Sequence, residues 1–285
     1  MGPGNHGQGH PVVRQYRVNQ AYGGSRGTQK DERAYAHFWA TRPGRTSART
    51  LATSRLYLHS CQTSAVVGRR RATEDKMVAG MTSSDPANLD ELRQAAAGCR
   101  ACELWKTGTQ TVFGEGSAPA ELMLVGEQPG DREDIEGKPF VGPAGAVLDR
   151  ALEAAGVDRS AVYLTNAVKH FRWVQRGKRR IHQKPDSTHI AACAPWLRAE
   201  VDAIRPRLLV CLGATAVQAV LGESVRVLRD RGRFFPSAFQ IPTMPTVHPS
   251  SILRAPDPRS REQAFEAFRF DLSAAARWLK GELRG

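Results

Sequence analysis

A single histidine follows three cations in the segment Gly177-Lys178-Arg179-Arg180-Ile181-His182. Lysine and arginine bind phosphates, and a neutral imidazole is a nucleophile, so this spacing could bring a phosphate backbone to a reactive centre. A solvated basic loop is the ordinary alternative for such a run. Three further polar segments, each following a short apolar run, favour the chemical interpretation: residues 126–131, 165–170 and 247–251.

The first of these segments, residues 126–131, is a glycine-rich loop. Gly126 and Gly130 allow the backbone to approach a ligand closely. The polar side chains at the loop's rim make three candidate site residues, Glu127, Gln128 and Asp131. The G-x-G-x-x-G spacing of dinucleotide-binding loops is missing, so a Rossmann assignment is weak.

Two residues near these loops suit the recognition of a base. Phe140 could stack on one, although an ordinary core position is the usual fate of a lone phenylalanine. Asn166 ends an apolar run, and its amide both donates and accepts hydrogen bonds. Such an amide can read the edge of a pyrimidine, or it can cap the next turn.

The cysteines indicate a metal centre. Cys99-x-x-Cys102 supplies two thiolates, and Cys193 with either His170 or Cys211 could complete the set. Cys211 lies inside an apolar run and is most simply a buried hydrophobic residue, so we favour three cysteines and one histidine. Spacing alone does not choose between zinc and an iron-sulfur cluster. Five cysteines in 285 residues argue against a secreted disulfide framework and favour a reducing cytoplasm.

Positive charge is concentrated in the first 80 residues. They carry thirteen Lys/Arg and four Asp/Glu, a net charge of +9 out of the total of +13. We expect a disordered basic leader over residues 1–80 and a folded domain over residues 81–285. A transit peptide, a nucleic-acid-binding tail and a translation start at Met77 or Met81 are the three interpretations of that leader. No run of about 18 apolar residues is present, so we expect no membrane span.

Strands and helices are predicted to alternate in the folded part. A helix carrying Leu89, Leu92 and Ala96 follows a cap at residues 84–86. Apolar runs then predict strands over residues 121–126, 161–168, 207–213 and 240–247, and helices over residues 145–155, 187–204, 214–221 and 261–280. Two prolines place the last strand at an edge. Alternation predicts a parallel sheet covered on both faces, with ligands bound beyond the carboxyl ends of its strands.

Together these motifs resemble the iron-sulfur uracil-DNA glycosylases of family 4. The resemblance covers essentially residues 88–280 and depends on residues 126–131, 166–170 and 248–254. The insert at residues 177–182 is similar to that of the UdgX group, which bonds covalently to the abasic sugar. The family has a cysteine at the position of His170, and the UdgX group shares the histidine.

The resemblance implies a three-layer α/β/α sandwich with a four-stranded parallel sheet and a [4Fe-4S] cluster on Cys99, Cys102, His170 and Cys193. It implies that uracil is flipped out of DNA into the pocket. The residues expected to bind uracil are Gln128, Phe140, Asn166 and His248. The expected catalytic residues are His182, Glu127, Gln128, Asp131 and His248.

The expected partner is uracil-containing DNA, with single strands preferred. Its expected contacts are Lys178, Arg179, Arg180, Ser250, Ser251 and Arg254. We expect a monomeric cytoplasmic protein, associated with the bacterial nucleoid when bound to DNA. The predicted activity is one uracil excision followed by capture of the sugar C1′ by His182. The alternatives are an ordinary multiple-turnover glycosylase and a non-catalytic iron-sulfur protein that binds nucleic acid.

Overall fold

The structure is a computed structural model that describes residues 88–283. The predicted leader, Cys61, both alternative start methionines and the predicted cap at residues 84–86 lie outside the described residues.

A mixed sheet forms the centre of this part of the chain. Its strands are β1 (Glu115–Gly116), β2 (Leu122–Gly126), β3 (Val162–Asn166), β6 (Leu208–Leu212), β7 (Phe235–Pro236) and β8 (Pro242–Thr246). Their order is β1-β3-β2-β6-β8-β7, and β3, β2, β6 and β8 run parallel. The four parallel strands are those that the apolar runs predicted.

Helices cover both faces of the sheet. In chain order they are α1 (Asn88–Ala97), α2 (Asp131–Glu136), α3 (Pro143–Ala154), α4 (Ser187–Ile204), α5 (Ala214–Leu221), α6 (Val227–Asp230), α7 (Pro249–Leu253) and α8 (Pro258–Leu279). Alternate residues of β2, β3 and β6 enter opposite cores, as the two-residue period of a strand requires. Met123 packs with residues of α1, α4 and α5, whereas Leu124 packs with residues of α3, α7 and α8. The expected three-layer α/β/α sandwich is confirmed.

Two details differ from the sequence-based expectation. The predicted edge strand β8 is the outermost parallel strand, but the two-residue antiparallel strand β7 covers it, with Pro236 opposite Pro242. The short antiparallel strand β1 covers the other edge. Proline cannot donate to a sheet ladder, and so pairing on this side ends after two residues.

The basic segment is a β-hairpin and not the solvated loop that such a run usually forms. Strand β4 (Trp173–Arg176) pairs with β5 (Arg179–His182), and a turn at Gly177 and Lys178 connects them. Gly177 has a φ of 57°, a left-handed conformation that glycine adopts without strain. None of the helices within residues 88–283 is long and apolar enough to cross a membrane.

Candidate functional site

The carboxyl ends of the parallel strands meet around a small pocket. Gly126 ends β2, Asn166 ends β3, and His248 follows β8. A Cβ atom at Gly126 would clash with the Asn166 side-chain oxygen and the Phe140 ring, and so a glycine is required there. The Phe140 and His248 rings stack with centroids 6.2 Å apart. The structure therefore brings three of the predicted base-binding residues together.

His248 is held as a neutral imidazole. Burial lowers its pKa to about 4. Its Nδ1 accepts the backbone N–H of Ser250 at 3.2 Å and lies 2.8 Å from the Ser250 hydroxyl, to which Arg254 donates. Because a neutral imidazole carries one hydrogen, the accepting role of Nδ1 leaves that hydrogen on Nε2. The Nε2–H group of His248 is therefore a fixed donor.

Glu127 and His182 form a pair beside this pocket. Glu127 Oε1 lies 3.0 Å from His182 Nε2, and the Thr215 hydroxyl donates to the other carboxylate oxygen. Burial opposes ionisation of Glu127, but the hydrogen bonds from His182 and Thr215 and the charges of His182 and His248 lower its pKa. Glu127 is therefore an ionised acceptor in contact with an imidazole.

His182 ends β5, and its side chain is 49% exposed. Its ring centroid lies 6.2 Å from that of Phe171. A histidine half open to solvent and paired with a carboxylate can reach a ligand outside the protein.

The Gln128 side chain is hydrogen-bonded to the backbone of the residues that flank the hairpin. Its amide donates to the carbonyls of Arg172 (3.2 Å) and Gln183 (3.0 Å) and accepts the backbone N–H of Arg172 (3.1 Å). Arg172 and Gln183 flank the hairpin at its base, and the Gln183 N–H also donates to the Arg172 carbonyl. The buried amide therefore fastens the base of the hairpin, whereas sequence analysis placed it with the uracil-binding and catalytic groups.

Arg180 and Asp131 are also engaged within the protein. The Arg180 guanidinium donates to the side chain of Asp131 (2.5 Å) and to that of Asp134 (2.6 Å). Asp134 is fully buried and also accepts the backbone N–H of Thr109. Arg180, expected to bind phosphate, and Asp131, expected to be catalytic, here join the hairpin to α2.

The other predicted DNA contacts lie in two places. Lys178 and Arg179 are exposed at the tip of the hairpin. Ser250, Ser251 and Arg254 belong to or follow α7, whose first turn is capped by His248. These cations and hydroxyls therefore flank the pocket on two different elements.

The three predicted cysteine ligands lie near one another, and Cys193 contacts the backbone beside His170. Cys193 is buried, and its thiol accepts the backbone N–H of Lys169, the neighbour of His170. The pKa of Cys193 is raised to about 12, mainly by burial and in part by charge on Cys102 and Cys99. The three thiols therefore lie close enough to interact electrostatically.

Each thiol also faces an N–H donor. The Trp196 indole donates to Cys99 at 3.2 Å, and the backbone N–H of Leu104 donates to Cys102. Burial is the largest cause that raises the pKa of Cys102, and charge on Cys99 contributes. Thiols that face N–H groups suit thiolate ligands, because such donors stabilise the ionised sulfur.

His170 carries an unsatisfied nitrogen. Its Nε2 lies 2.9 Å from the Thr111 hydroxyl, whereas its buried Nδ1 has no hydrogen-bond partner within residues 88–283. Cys211, the alternative ligand, is fully buried in the core on the other side of its strand from Leu212. No three His, Cys, Asp or Glu side chains in the described range are arranged to hold a single metal ion. Three thiols and one imidazole nitrogen without a hydrogen-bond partner are nonetheless donor types that iron-sulfur clusters accept.

Sequence analysis missed a buried ion pair behind Asn166. Lys169 and Glu200 are both fully buried, and the Lys169 ammonium donates to Glu200 (2.5 Å), the Thr165 hydroxyl (2.7 Å) and the Asn166 carbonyl (2.8 Å). Glu200 also accepts the backbone N–H of Gly114. A lysine in a polar segment of the sequence is expected at the surface. Because Lys169 and Glu200 are 31 residues apart, no local sequence pattern predicts that they pair.

The structural roles of Glu133 and Thr215 were also not predicted from sequence. The Glu133 carboxylate accepts the backbone N–H groups of Gly130 (3.1 Å) and Gly142 (2.8 Å), which ties the loop after β2 to the segment that carries Phe140. Thr215 begins the helix after β6 and orients Glu127. The acidic first turn of α2 was the available signal for Glu133.

An α/β sandwich with its pocket at the carboxyl ends of the strands is also the architecture of a known family. Residues 113–273 match the family described as the uracil DNA glycosylase superfamily, and the chain belongs to it.

Several characterised proteins are similar over most of their length. The type-4 uracil-DNA glycosylase of Saccharolobus solfataricus is 34% identical over 70% of this chain and 93% of that protein. The type-4 uracil-DNA glycosylase of Thermotoga maritima is 34% identical over 65% of this chain and 91% of that protein. A type-5 uracil-DNA glycosylase of Pyrobaculum aerophilum is 33% identical over a shorter part, 47% of this chain.

Proposed function

We propose that this chain excises uracil from DNA and remains attached to the resulting abasic sugar through His182. The observation that carries the proposal is the contact between Glu127 and His182 at the edge of the pocket, 3.0 Å between Oε1 and Nε2. Family membership supports the excision step. The half-exposed, carboxylate-paired histidine supports the capture step.

The pocket has the groups that a flipped uracil requires. The Phe140 ring offers a stacking face, and the Asn166 amide can donate to and accept from the edge of the base. The Nε2–H donor of neutral His248 can stabilise negative charge that develops on the uracil O2. A pyrimidine held in this way is stabilised most strongly by the pocket as it becomes an anion.

Excision begins with the break between the sugar C1′ and the uracil N1. The bonding pair leaves with the uracil, and C1′ is left with cationic character. The pocket then stabilises the leaving anion by hydrogen bonding, with no proton required in advance. A nearby nucleophile must next supply an electron pair to C1′.

His182 supplies that pair in the proposed reaction. The ionised Glu127 can only accept a hydrogen bond, and so the ring nitrogen facing it carries the hydrogen and the other nitrogen carries the lone pair. The lone pair forms the bond to C1′. Glu127 then balances the positive charge that the imidazole ring gains, by hydrogen bonding or by taking the proton.

Gln128 supports capture over hydrolysis. A water molecule needs a base to attack C1′, and an amide is a poor base. The Gln128 amide is in addition fully used by the backbone at the base of the hairpin. It therefore holds the segment that carries His182, and the neighbouring carboxylate, Glu127, is already paired with His182.

We further propose that Cys99, Cys102, His170 and Cys193 hold a [4Fe-4S] cluster. The N–H groups that face the thiols and the free Nδ1 of His170 support this ligand set. When bound, such a cluster would crosslink the chain segments that carry its ligands. The residues of the pocket perform the excision and capture steps.

The DNA strand is proposed to lie between the hairpin and α7. Lys178, Arg179 and Arg254 would neutralise phosphates there, with Ser250 and Ser251 as hydroxyl partners. Single-stranded uracil DNA is the preferred substrate in this proposal, because its bases need no unpairing before they enter the pocket. The protein acts as a monomer.

A multiple-turnover uracil-DNA glycosylase is the second candidate. The names of the type-4 relatives favour it. In that case His182 would help to bind the sugar, and water would take C1′. The two candidates share the base pocket and differ in what captures the sugar.

Purified full-length protein mixed with uracil-containing single-stranded DNA distinguishes them on a denaturing gel. A DNA band shifted by the mass of the protein supports capture. Free abasic DNA that accumulates over many turnovers supports the second candidate. Unchanged DNA contradicts both and favours a non-catalytic binding protein.

A further inference from the structure

The strand opposite His182 is attached to a segment outside the hairpin. In the register of β4 and β5, Trp173 stands opposite His182. The Trp173 indole N–H donates to the Thr107 carbonyl at 2.9 Å. Thr107 follows the 3-10 helix Glu103–Lys106, which begins one residue after Cys102. The hydrogen bond of Trp173 therefore attaches the strand position that pairs with His182 to the segment after Cys102.

The ring of Trp173 makes a second contact, with the guanidinium group of Arg180. The Arg180 guanidinium lies 5.5 Å from the centroid of the Trp173 ring, and it is bonded to Asp131 and Asp134 on the other side. A cation over an aromatic face is stabilising, most of all for tryptophan. Trp173 thus packs against the residue that joins β5 to α2.

The rest of β4 offers no comparable anchor. Val174, Gln175 and Arg176 are exposed, whereas Trp173 is partly buried. The base of the hairpin is held by Gln128 through the backbone of the flanking residues, not by a side chain of the strand itself. Trp173 is therefore the residue of β4 whose side chain fixes the strand.

We propose that Trp173 is a positioning residue for His182 and determines how often His182, and not water, captures C1′. The inference rests on the proposed function. Capture requires the imidazole nitrogen within attacking distance of C1′, and a shift of about 1 Å can cost about 100-fold in rate. The groups that hold the base lie on β3, α7 and the segment before α3, and so excision should not depend on Trp173.

Two variants separate the two contacts. Trp173→Phe removes the indole N–H and keeps an aromatic ring over which Arg180 can lie, whereas Trp173→Ala removes both. Trp278→Phe is the matched control, because Trp278 stacks on Phe234 with centroids 5.9 Å apart, on the α8 side of the sheet. Each full-length protein is mixed in excess with uracil-containing single-stranded DNA. Uracil release, covalent adduct and free abasic DNA are then measured.

The expected result is a change in partition without a change in excision. Uracil release stays within about twofold of wild type in all three variants, the usual range when a substitution touches none of the reacting groups. The ratio of adduct to free abasic DNA falls about fivefold in Trp173→Phe, which corresponds to one hydrogen bond of ordinary net strength. It falls by up to about 100-fold in Trp173→Ala, the cost of a misplaced reacting group. Trp278→Phe leaves the ratio unchanged.

An unchanged ratio in both Trp173 variants overturns the inference and leaves the proposed function standing. Equal losses of uracil release and adduct also overturn it, because they indicate a general structural role. If Trp173→Ala does not fold, the ratio in Trp173→Phe decides. If wild-type protein forms no adduct, the proposed function itself is overturned. That result is seen with wild-type protein alone and does not depend on the variants.

Discussion

The base pocket and the hairpin are built in opposite ways. The pocket residues Asn166 and Phe140 are buried, with 3% and 7% of their surface exposed. Asn166 ends strand β3, and Phe140 lies shortly before helix α3. The hairpin Trp173–His182 is mostly exposed. Gln128, Asp131 and Asp134 hold it from outside, and its own Trp173 donates to the Thr107 carbonyl. One region is fixed by the packing of the sheet, and the other by separate polar contacts.

This difference implies that excision and capture can be separated by mutation. A change in the pocket or behind it should affect both steps, because no cation forms at C1′ unless the base is held. A change in the hairpin that spares its phosphate-binding cations should affect capture alone, because Asn166, Phe140 and His248 lie on other segments. The following predictions test this division, from the largest effect to the smallest.

The buried ion pair behind the pocket should give the largest effect. Lys169→Met leaves Glu200 as a buried charge without its cation, and so the free energy of unfolding should fall by about 3–5 kcal/mol. Chemical denaturation measures this change. Lys178→Met, on the exposed hairpin tip, is the matched control and should change stability by less than about 0.5 kcal/mol. Similar values for the two variants would contradict the assigned role of the pair.

Asn166→Ala should lower excision and capture together. The amide reads the edge of the base, and the loss of one such hydrogen-bonding group in an active site costs about 10²–10³-fold in rate. Single-turnover uracil release and adduct formation should fall by the same factor. A variant that keeps excision but loses capture would show that Asn166 belongs functionally with the hairpin.

Several features of this comparison were predictable from sequence. The apolar runs at residues 121–126 and 207–213 predicted the parallel strands, because strands buried on both faces need continuous hydrophobic sequence. Parallel strands place their carboxyl ends at one edge, and so the convergence of Asn166 and His248 followed from topology. The glycine at residue 126 marked the close approach of other groups.

The hairpin was not predictable in the same way. Strands β4 and β5 are short and mostly polar, and neither has the alternating pattern that predicts a strand. Their anchors are distant along the chain: Gln128 bonds to a residue 55 positions away, and Arg180 to one 49 positions away. Long-range polar contacts leave no periodic signal. Sequence analysis therefore identified His182 and the basic run but assigned Arg180 to phosphate and Gln128 to the base.

The predicted metal ligands give a third test of the comparison between the pocket and the hairpin. One of them, Cys102, directly precedes the segment to which Trp173 of the hairpin is bonded. Protein purified without oxygen should contain about four irons per chain, as a [4Fe-4S] centre requires. His170→Ala should lose much of that iron, whereas Cys211→Ala should keep it, because Cys211 lies in the apolar core. Iron and acid-labile sulfide analysis measures both. Zinc in place of iron, or the reverse order of the two variants, would contradict the ligand set.

The pH dependence of stability is the smallest effect expected. In the folded protein the pKa of His248 is about 4, whereas its ordinary value is 6.5. As pH falls from 6.5 towards 4, the unfolded chain takes up a proton before the folded chain does, and stability is lost in this window. Thermal unfolding at pH 7 and pH 5 should show a smaller loss for His248→Asn than for wild type. Equal losses would mean that His248 is not held neutral.

The identity of the residue bonded to DNA tests the central claim most directly. Wild-type protein is incubated with uracil-containing single-stranded DNA, digested, and the crosslinked peptide is sequenced by tandem mass spectrometry, with His182→Ser treated in parallel. We expect an abasic sugar on His182 in wild type, and no adduct but continued release of uracil in His182→Ser. A sugar attached to another residue, or an adduct that persists in His182→Ser, would contradict the claim.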